Sequence, residues 1–292
     1  MKDAAIRLIE CPRDAMQGWK KWIPTEKKVE YINSLLQVGF SCIDFGSFVS
    51  AKAIPQMADT RDVIKLLDRR GSRSGLLAIV ANARGAEEAV AFDSIDYLGF
   101  PFSVSPTFQL RNTNSDMQQS LQRVEQIQEI CVKNGRRLVI YLSMAFGNPY
   151  GDAWSEDIVF EWAGRMVQLD VEILSLADTV GLASASQVYG ITSGLVSSLP
   201  AVEVGVHLHS TVENWREKLD AAWRAGCRRF DGALKGIGGC PMANDELVGN
   251  MDTEKMIRYF SEVEEPVSLN NEAFTNSLRL AGELFGNDSF AA

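Results

Sequence analysis

The chain has 292 residues, 46% hydrophobic and 23% charged, with a net charge of −9 at neutral pH. A core of that size needs no disulfide staples, and an acidic chain without a basic run excludes a nucleic-acid partner, which requires clustered Lys and Arg. No run approaches a membrane span and no signal-type apolar stretch opens the sequence, so neither a membrane partner nor secretion is expected. The five cysteines are Cys11, Cys42, Cys131, Cys227 and Cys240. They are odd in number and form no CxxC pair, which fits free thiols in a reducing, cytoplasmic setting.

Short apolar runs alternate with longer helical patterns along the chain. The strand candidates are residues 6–11, 42–48, 76–81, 97–104, 138–144, 172–177, 202–209 and 229–234. Between them, residues 26–38 place Val29, Ile32, Leu35 and Leu36 at helical spacing before Gly39. Further helical patterns cover 60–70, 85–91, 117–134, 157–168, 186–197 and 213–225. After the last strand, 252–264 reads as the helix that closes the architecture, and 271–285 as a C-terminal extension. Alternation of this kind implies a parallel sheet with right-handed crossovers. Eight units predict an α/β fold, a closed (β/α)8 TIM barrel with a C-terminal helical extension. An open doubly wound sheet is weaker, because no Gly-rich phosphate loop opens the first helix. No linker or repeat stands out, so residues 1–292 read as one domain, with the barrel over about 6–264.

Active sites of such barrels gather at the carboxyl ends of the strands. Arg13 and Asp14 follow the first strand, Asp44 lies on the second, and Ser143 closes the fifth. Asp178-Thr179 follows the sixth. His207 and His209, the only histidines, end the seventh, where i and i+2 side chains share one face. Gly238-Gly239-Cys240-Pro241 and Asn250 follow the eighth. Asp14, His207, His209 and Asn250 therefore form a mixed oxygen and nitrogen set drawn from neighbouring strands. Hard oxygens with some imidazole suit an octahedral divalent ion such as Mg²⁺ or Mn²⁺. Arg13 reads either as a solvated arginine or as a fork of donors for a carbonyl or carboxylate. Cys240 reads as a small buried hydrophobe or as part of a flexible loop, and Asp178 as a helix cap.

Several stretches together carry a family likeness. They are Pro12-Arg13-Asp14; Ser47-Phe48-Val49-Ser50 with Lys52 and Pro55-Gln56-Met57; Gly147 with Pro149-Tyr150; and Ser175-Leu176 with Asp178-Thr179 and Gly181. Val206-His207 with His209, and Gly238-Gly239-Cys240-Pro241 with Gly249-Asn250, complete the set. In this order and spacing the chain resembles the 3-hydroxy-3-methylglutaryl-CoA lyases of the DRE-TIM metallolyase superfamily. The resemblance implies a divalent cation, Mg²⁺ or Mn²⁺, and cleavage of an acyl-CoA thioester to acetyl-CoA and acetoacetate, a step of leucine degradation. It implies Asp14, His207, His209 and Asn250 as metal ligands, Arg13 as the catalytic arginine and Cys240 as the loop cysteine. Asp44 stands where the family has a glutamate, and Asp178 matches an active-site aspartate. Asp14 or His207 would act as general base. The C-terminal segment would suit a homodimer.

The chain departs from the family pattern at Ala15-Met16, Gly18-Trp19, Asn148, Leu208, Ser210 and Met242. Ala15 and Trp19 are expected beside the pocket floor, where their bulk would bear on the acyl group accepted. A 2-oxo-acid aldolase or condensing synthase of the same superfamily, and a barrel that binds without catalysis, are the competing readings.

Overall fold

The computed structural model describes residues 5–239 and 248–286. The elements run β1 (Arg7–Glu10), α1 (Pro12–Gln17), α2 (Thr25–Leu36), β2 (Cys42–Ser47), α3 (Thr60–Leu66), β3 (Gly75–Ile79), α4 (Ala83–Val90) and β4 (Tyr97–Ser103). They continue with α5 (Pro106–Thr113), α6 (Met117–Lys133), β5 (Arg137–Ser143), α7 (Glu156–Gln168), β6 (Ile173–Ala177), α8 (Ala185–Ser198) and β7 (Glu203–His207). Last come β8 (His209–Ser210), α9 (Trp215–Arg224), β9 (Arg229–Gly232), β10 (Gly249–Asn250), α10 (Thr253–Glu262) and α11 (Asn271–Phe285).

Strands β1 to β7 and β9 pair in parallel and close, with β9 returning to β1, so the chain is the expected (β/α)8 barrel. The period-2 alternation of each strand sorts its side chains into two cores. Ile9, Cys11, Cys42, Leu77, Val139, Tyr141 and Ile173 pack together inside the barrel. Leu8, Ile43, Leu76, Leu98 and Phe100 belong to the larger core beneath the helices. Two glycines make room for bulk in the interior. A Cβ on Gly99 would lie 2.5 Å from Ile79, and one on Gly205 would lie 2.8 Å from the buried side chain of Arg229.

Two helices escape the periodicity reading. Helix α1 is six residues long and opens on Pro12, whose fixed φ and missing N–H suit a first helical turn. It places Arg13 and Asp14 directly above β1. Helix α5 is capped by Ser105, whose side chain accepts from the Phe108 N–H, and also opens on a proline. The C-terminal helix α11 packs on the chain's own barrel. Ser277 Oγ donates to Ser34 Oγ of α2 at 2.9 Å, and Phe285 meets Tyr31 and Trp19 edge-on. No helix among the described residues is long and apolar enough to cross a membrane.

Glu10 lies on the outward face of β1 and is fully buried. Its carboxyl accepts the Leu234 N–H at 2.8 Å and bonds Thr253 Oγ1 at 2.7 Å. Burial dominates and pushes its pKa up to about 8 against these bonds. Between about pH 4.5 and 8 the native state therefore holds a proton that the unfolded chain has released, and stability falls as pH rises. Glu10→Gln removes this titration. Between pH 5.5 and 7.5, urea denaturation is expected to show the wild type losing about 2–3 kcal/mol more than the variant. Parallel curves for the two proteins would contradict the assignment.

Candidate active site and metal centre

The strand expected over 202–209 is broken in two. Strand β7 ends at His207, Leu208 lies outside both strands, and His209 opens β8, which leaves the barrel to pair antiparallel with β10. The register sets His209 opposite Asn250. The two imidazoles still end up together, with ring centroids 5.4 Å apart. A donor atom from each of Asp14, His207 and His209 lies within 4.8 Å of the others, and all three residues are buried.

Asn250 completes the cluster. Its Nδ2 donates to Asp14 Oδ2 at 2.7 Å and to the Ile237 carbonyl at 2.9 Å. Its Oδ1 is buried and has no hydrogen-bond partner among the described residues. A buried amide oxygen without a partner is costly in a folded protein and calls for an explanation. Here the Asn250 side chain bonds Asp14 and the residue pairs with His209, beside the donor chemistry of a divalent cation site. The residues present fit such an ion.

The charge states agree with that fit. Burial would raise the Asp14 carboxyl, but Arg13 beside it, the two imidazoles and the Asn250 amide hold it below the usual carboxylate range. Burial and the adjacent His207 push His209 down to about 4, so its ring is neutral and offers a lone pair. His207 is also pulled down by burial, but the carboxylates of Asp231 and Asp14 outweigh this and raise it.

Arg13 is tied from three sides. Its Nε and Nη2 fork onto Asp44, at 3.0 and 2.5 Å from Oδ2, and its Nη1 donates to Asp14 Oδ1 at 3.1 Å and Gln17 Oε1 at 2.8 Å. Burial works against the guanidinium charge, yet Asp44 and Asp14 keep it in place. Burial also lifts the Asp44 carboxyl, but the two-pronged contact is that of an ionised pair, and we read it so. A guanidinium has five N–H groups. Among the described residues these contacts engage four, which leaves one proton of Nη2.

Arg13, Asp14, His207 and His209 line a cavity of about 330 Å³ at the carboxyl end of the barrel, with Ile79, Pro101 and Phe108 among its apolar lining and Tyr141, Ser143 and Thr179 among its polar lining. That size accepts a small acyl group. Trp19 is not part of this lining. Its ring packs on Phe285, and it lines a separate cavity between α2 and α11. Ala15 is buried in the helix-layer core and is also absent from the site cavity. The expectation that these two residues shape the acyl pocket is corrected accordingly. The cause is the helical turn of α1, which presents Arg13, Asp14 and Gln17 to the cavity and Ala15 to the helix-layer core. Cys240 and Met242 fall outside the described residues.

Asp178 is nearby but turned away. It caps no helix, since Ser184 caps α8. Its Oδ2 accepts from Lys218 Nζ at 2.7 Å and its Oδ1 from the Ala183 N–H at 3.1 Å, while its neighbours Ala177 and Thr179 face the cavity. Three residues went unread in the sequence. Gln17 bridges Arg13 and Asp14, with Nε2 donating to Asp14 Oδ1 at 2.8 Å. Asp231 stands 3.4 Å from His207 Nδ1. Two opposite charges at i, i+2 in β9, Arg229 and Asp231, were the available signal for it. Lys218 had none, because a lysine on an amphipathic helix reads as a solvated face.

A closed barrel with a buried carboxylate, two imidazoles and an amide at the carboxyl ends of its strands defines a class, the TIM barrels with a candidate divalent-cation site at that end. Comparison with known proteins narrows it. The HMGL-like family model matches residues 6–280. The chain is 31% identical to hydroxymethylglutaryl-CoA lyase YngG of Bacillus subtilis over 94% of its own length and 91% of that protein's. It is 29% identical to the (R)-citramalyl-CoA lyase of Chloroflexus aurantiacus over 92% and 87% of the two chains. An HMG-CoA lyase from Acinetobacter baumannii, solved with coenzyme A and 3-methylmalate, superposes with a TM-score of 0.90 at 32% identity, covering 98% of this chain and 92% of that one. The chain belongs to the HMGL-like family and is a lyase of the hydroxymethylglutaryl-CoA lyase type.

Proposed function

We propose that the chain cleaves 3-hydroxy-3-methylglutaryl-CoA, or a close 3-hydroxyacyl thioester, to acetyl-CoA and acetoacetate. Asp14, His207, His209 and Asn250 would hold the cation, which we propose is Mg²⁺ or Mn²⁺. The observation that carries this reading is the convergence of Arg13, Asp14, His207 and His209 on one cavity, with Asn250 hydrogen-bonded to Asp14 beside it and its Oδ1 without a partner among the described residues.

The chemistry follows from the bond to be broken. The tertiary alcohol loses its proton, the carbon–carbon bond cleaves, and its electron pair passes to the thioester as an enolate. Protonation of that enolate carbon yields the acetyl group. A bound divalent cation lowers the pKa of the alcohol it contacts. Arg13 lines the cavity, where its remaining Nη2 proton would stabilise the enolate oxygen, and Asp44 holds the guanidinium in place. Asp231 behind His207 Nδ1 directs the other ring nitrogen toward the cavity. His207, together with Asp14, is the proposed route for the alcohol proton, and Cys240 the proposed donor to the carbon. The apolar lining excludes water from the reactive enolate. A reducing, cytoplasmic setting suits the four cysteines among the described residues, which are all free and buried.

The test is a thioester panel with chelator-stripped protein, with and without added cation. Acetoacetate from 3-hydroxy-3-methylglutaryl-CoA, released only with the cation, is expected. Faster cleavage of citramalyl-CoA to pyruvate would move the substrate within the same reaction. Absence of cleavage of either thioester at saturating cation would overturn the proposal.

A further inference from the structure

We infer that Lys218 is a positioning residue for the metal-binding segment, which it anchors through the His209 backbone and a buried ion pair with Asp178. The inference rests on the cation reading of Asp14, His207, His209 and Asn250 and adds to it the element that holds two of those residues in place.

Lys218 lies on the buried face of α9, and its side chain is 0% exposed. An ammonium group has three protons. Lys218 Nζ has three acceptors: Asp178 Oδ2 at 2.7 Å, the His209 carbonyl at 3.0 Å and the Gly181 carbonyl at 3.1 Å. The charge is thus fully satisfied, and it joins α9, the segment after β6 and the break between β7 and β8. Asp178 is equally committed, since its other oxygen accepts the Ala183 N–H. Neither group of the pair lines the cavity.

Burying such a pair is poor value as stabilisation. Well-packed neutral replacements of buried ion pairs are often as stable or more so. Its position gives a better account. Among the described residues the ribbon of β8 and β10 has two residue pairs, Gly249 with Ser210 and Asn250 with His209. Two-stranded pairings of that kind are marginal alone. Yet this ribbon carries His209 and Asn250, half of the proposed ligand set. A fixed His209 carbonyl fixes the backbone from which its imidazole projects, and through the register it fixes Asn250. The Leu208 break, which takes His209 out of the barrel sheet, is what makes the separate anchor necessary.

The experiment pairs two neutral, near-isosteric changes, Asp178→Asn with Lys218→Met, in the full chain. Mn²⁺ binding is read from the spectrum of free Mn²⁺ by electron paramagnetic resonance, at a temperature well below the melting transition. The double variant is expected to fold and to bind Mn²⁺ about 10–100-fold more weakly than the wild type. A folded double variant with affinity within twofold of the wild type overturns the inference. Lys218→Gln, with two amide protons for three acceptors, keeps the test open if the double variant does not accumulate. It is expected to show a smaller loss of affinity, and unchanged affinity in that variant counts against the anchor. A wild-type chain that binds no Mn²⁺ would remove the metal reading itself, an outcome distinct from wild-type binding that the variants leave untouched.

Discussion

Arg13→Lys is expected to lower kcat for thioester cleavage by about 10²–10³-fold. The substitution keeps the positive charge, so Asp44 is not left as an unpaired buried carboxylate, a loss that would cost several kcal/mol in stability. It removes the geometry instead. Arg13 satisfies Asp44 with a two-pronged contact on one edge and Asp14 with Gln17 on the other, and the residue lines the cavity with one Nη2 proton left over from these contacts. An ammonium has three protons on a single point and cannot serve both edges and a developing enolate oxygen. The loss therefore falls on kcat, with Mn²⁺ affinity changed by a few-fold at most. Steady-state kinetics beside Mn²⁺ titration separates the two quantities. A variant within tenfold of the wild-type kcat would remove Arg13 from the reaction.

Asp14→Asn should act on the other quantity. The amide keeps the size of the side chain, and its oxygen can still accept from Arg13 and Gln17 as the Asp14 Oδ1 does. The anionic oxygen facing Asn250 is lost, and the substituted nitrogen would meet the Asn250 Nδ2 donor there. A site reduced to two imidazoles and amide oxygens has no formal charge to offset that of a divalent ion. Cation binding is expected to weaken by more than about 100-fold. Cleavage should fall by about 10³-fold or more, the scale of several kcal/mol of lost Lewis-acid stabilisation. Isothermal titration with Mn²⁺ and the thioester assay read the two effects separately. Near-normal Mn²⁺ affinity in Asp14→Asn would move the cation elsewhere in the barrel.

The barrel was legible because its physics is local. Alternating apolar runs and helical periods follow from burial on two faces of each strand and one of each helix, and the observed elements fall close to the expected ranges. Short helices were not legible. Helix α1 has six residues and α5 is polar, so neither carries enough apolar repeat to register. Their proline openings were the better clue. The histidine pair shows how a correct expectation can rest on incomplete grounds. The i, i+2 spacing placed both rings on one side, but His209 reaches the site from a separate ribbon and not from the barrel strand. Asp178 was read as a site residue from the family likeness, yet its carboxylate is held by Lys218 and a backbone amide. Long-range partners of this kind have no signature in a single chain. The pair of Lys218 and Asp178 spans 40 residues, and that of Asn250 and Asp14 spans 236. Trp19 misled for a related reason, since nearness in sequence to Asp14 says nothing of which way α1 turns.

The account stands on one cation held at one place. The most direct measurement is a crystal of the full chain soaked in Mn²⁺, with the anomalous signal of the metal mapped. The expected result is one strong peak bonded to Asp14, His207, His209 and Asn250. A peak held by other residues, or none at a concentration that supports cleavage, would contradict it.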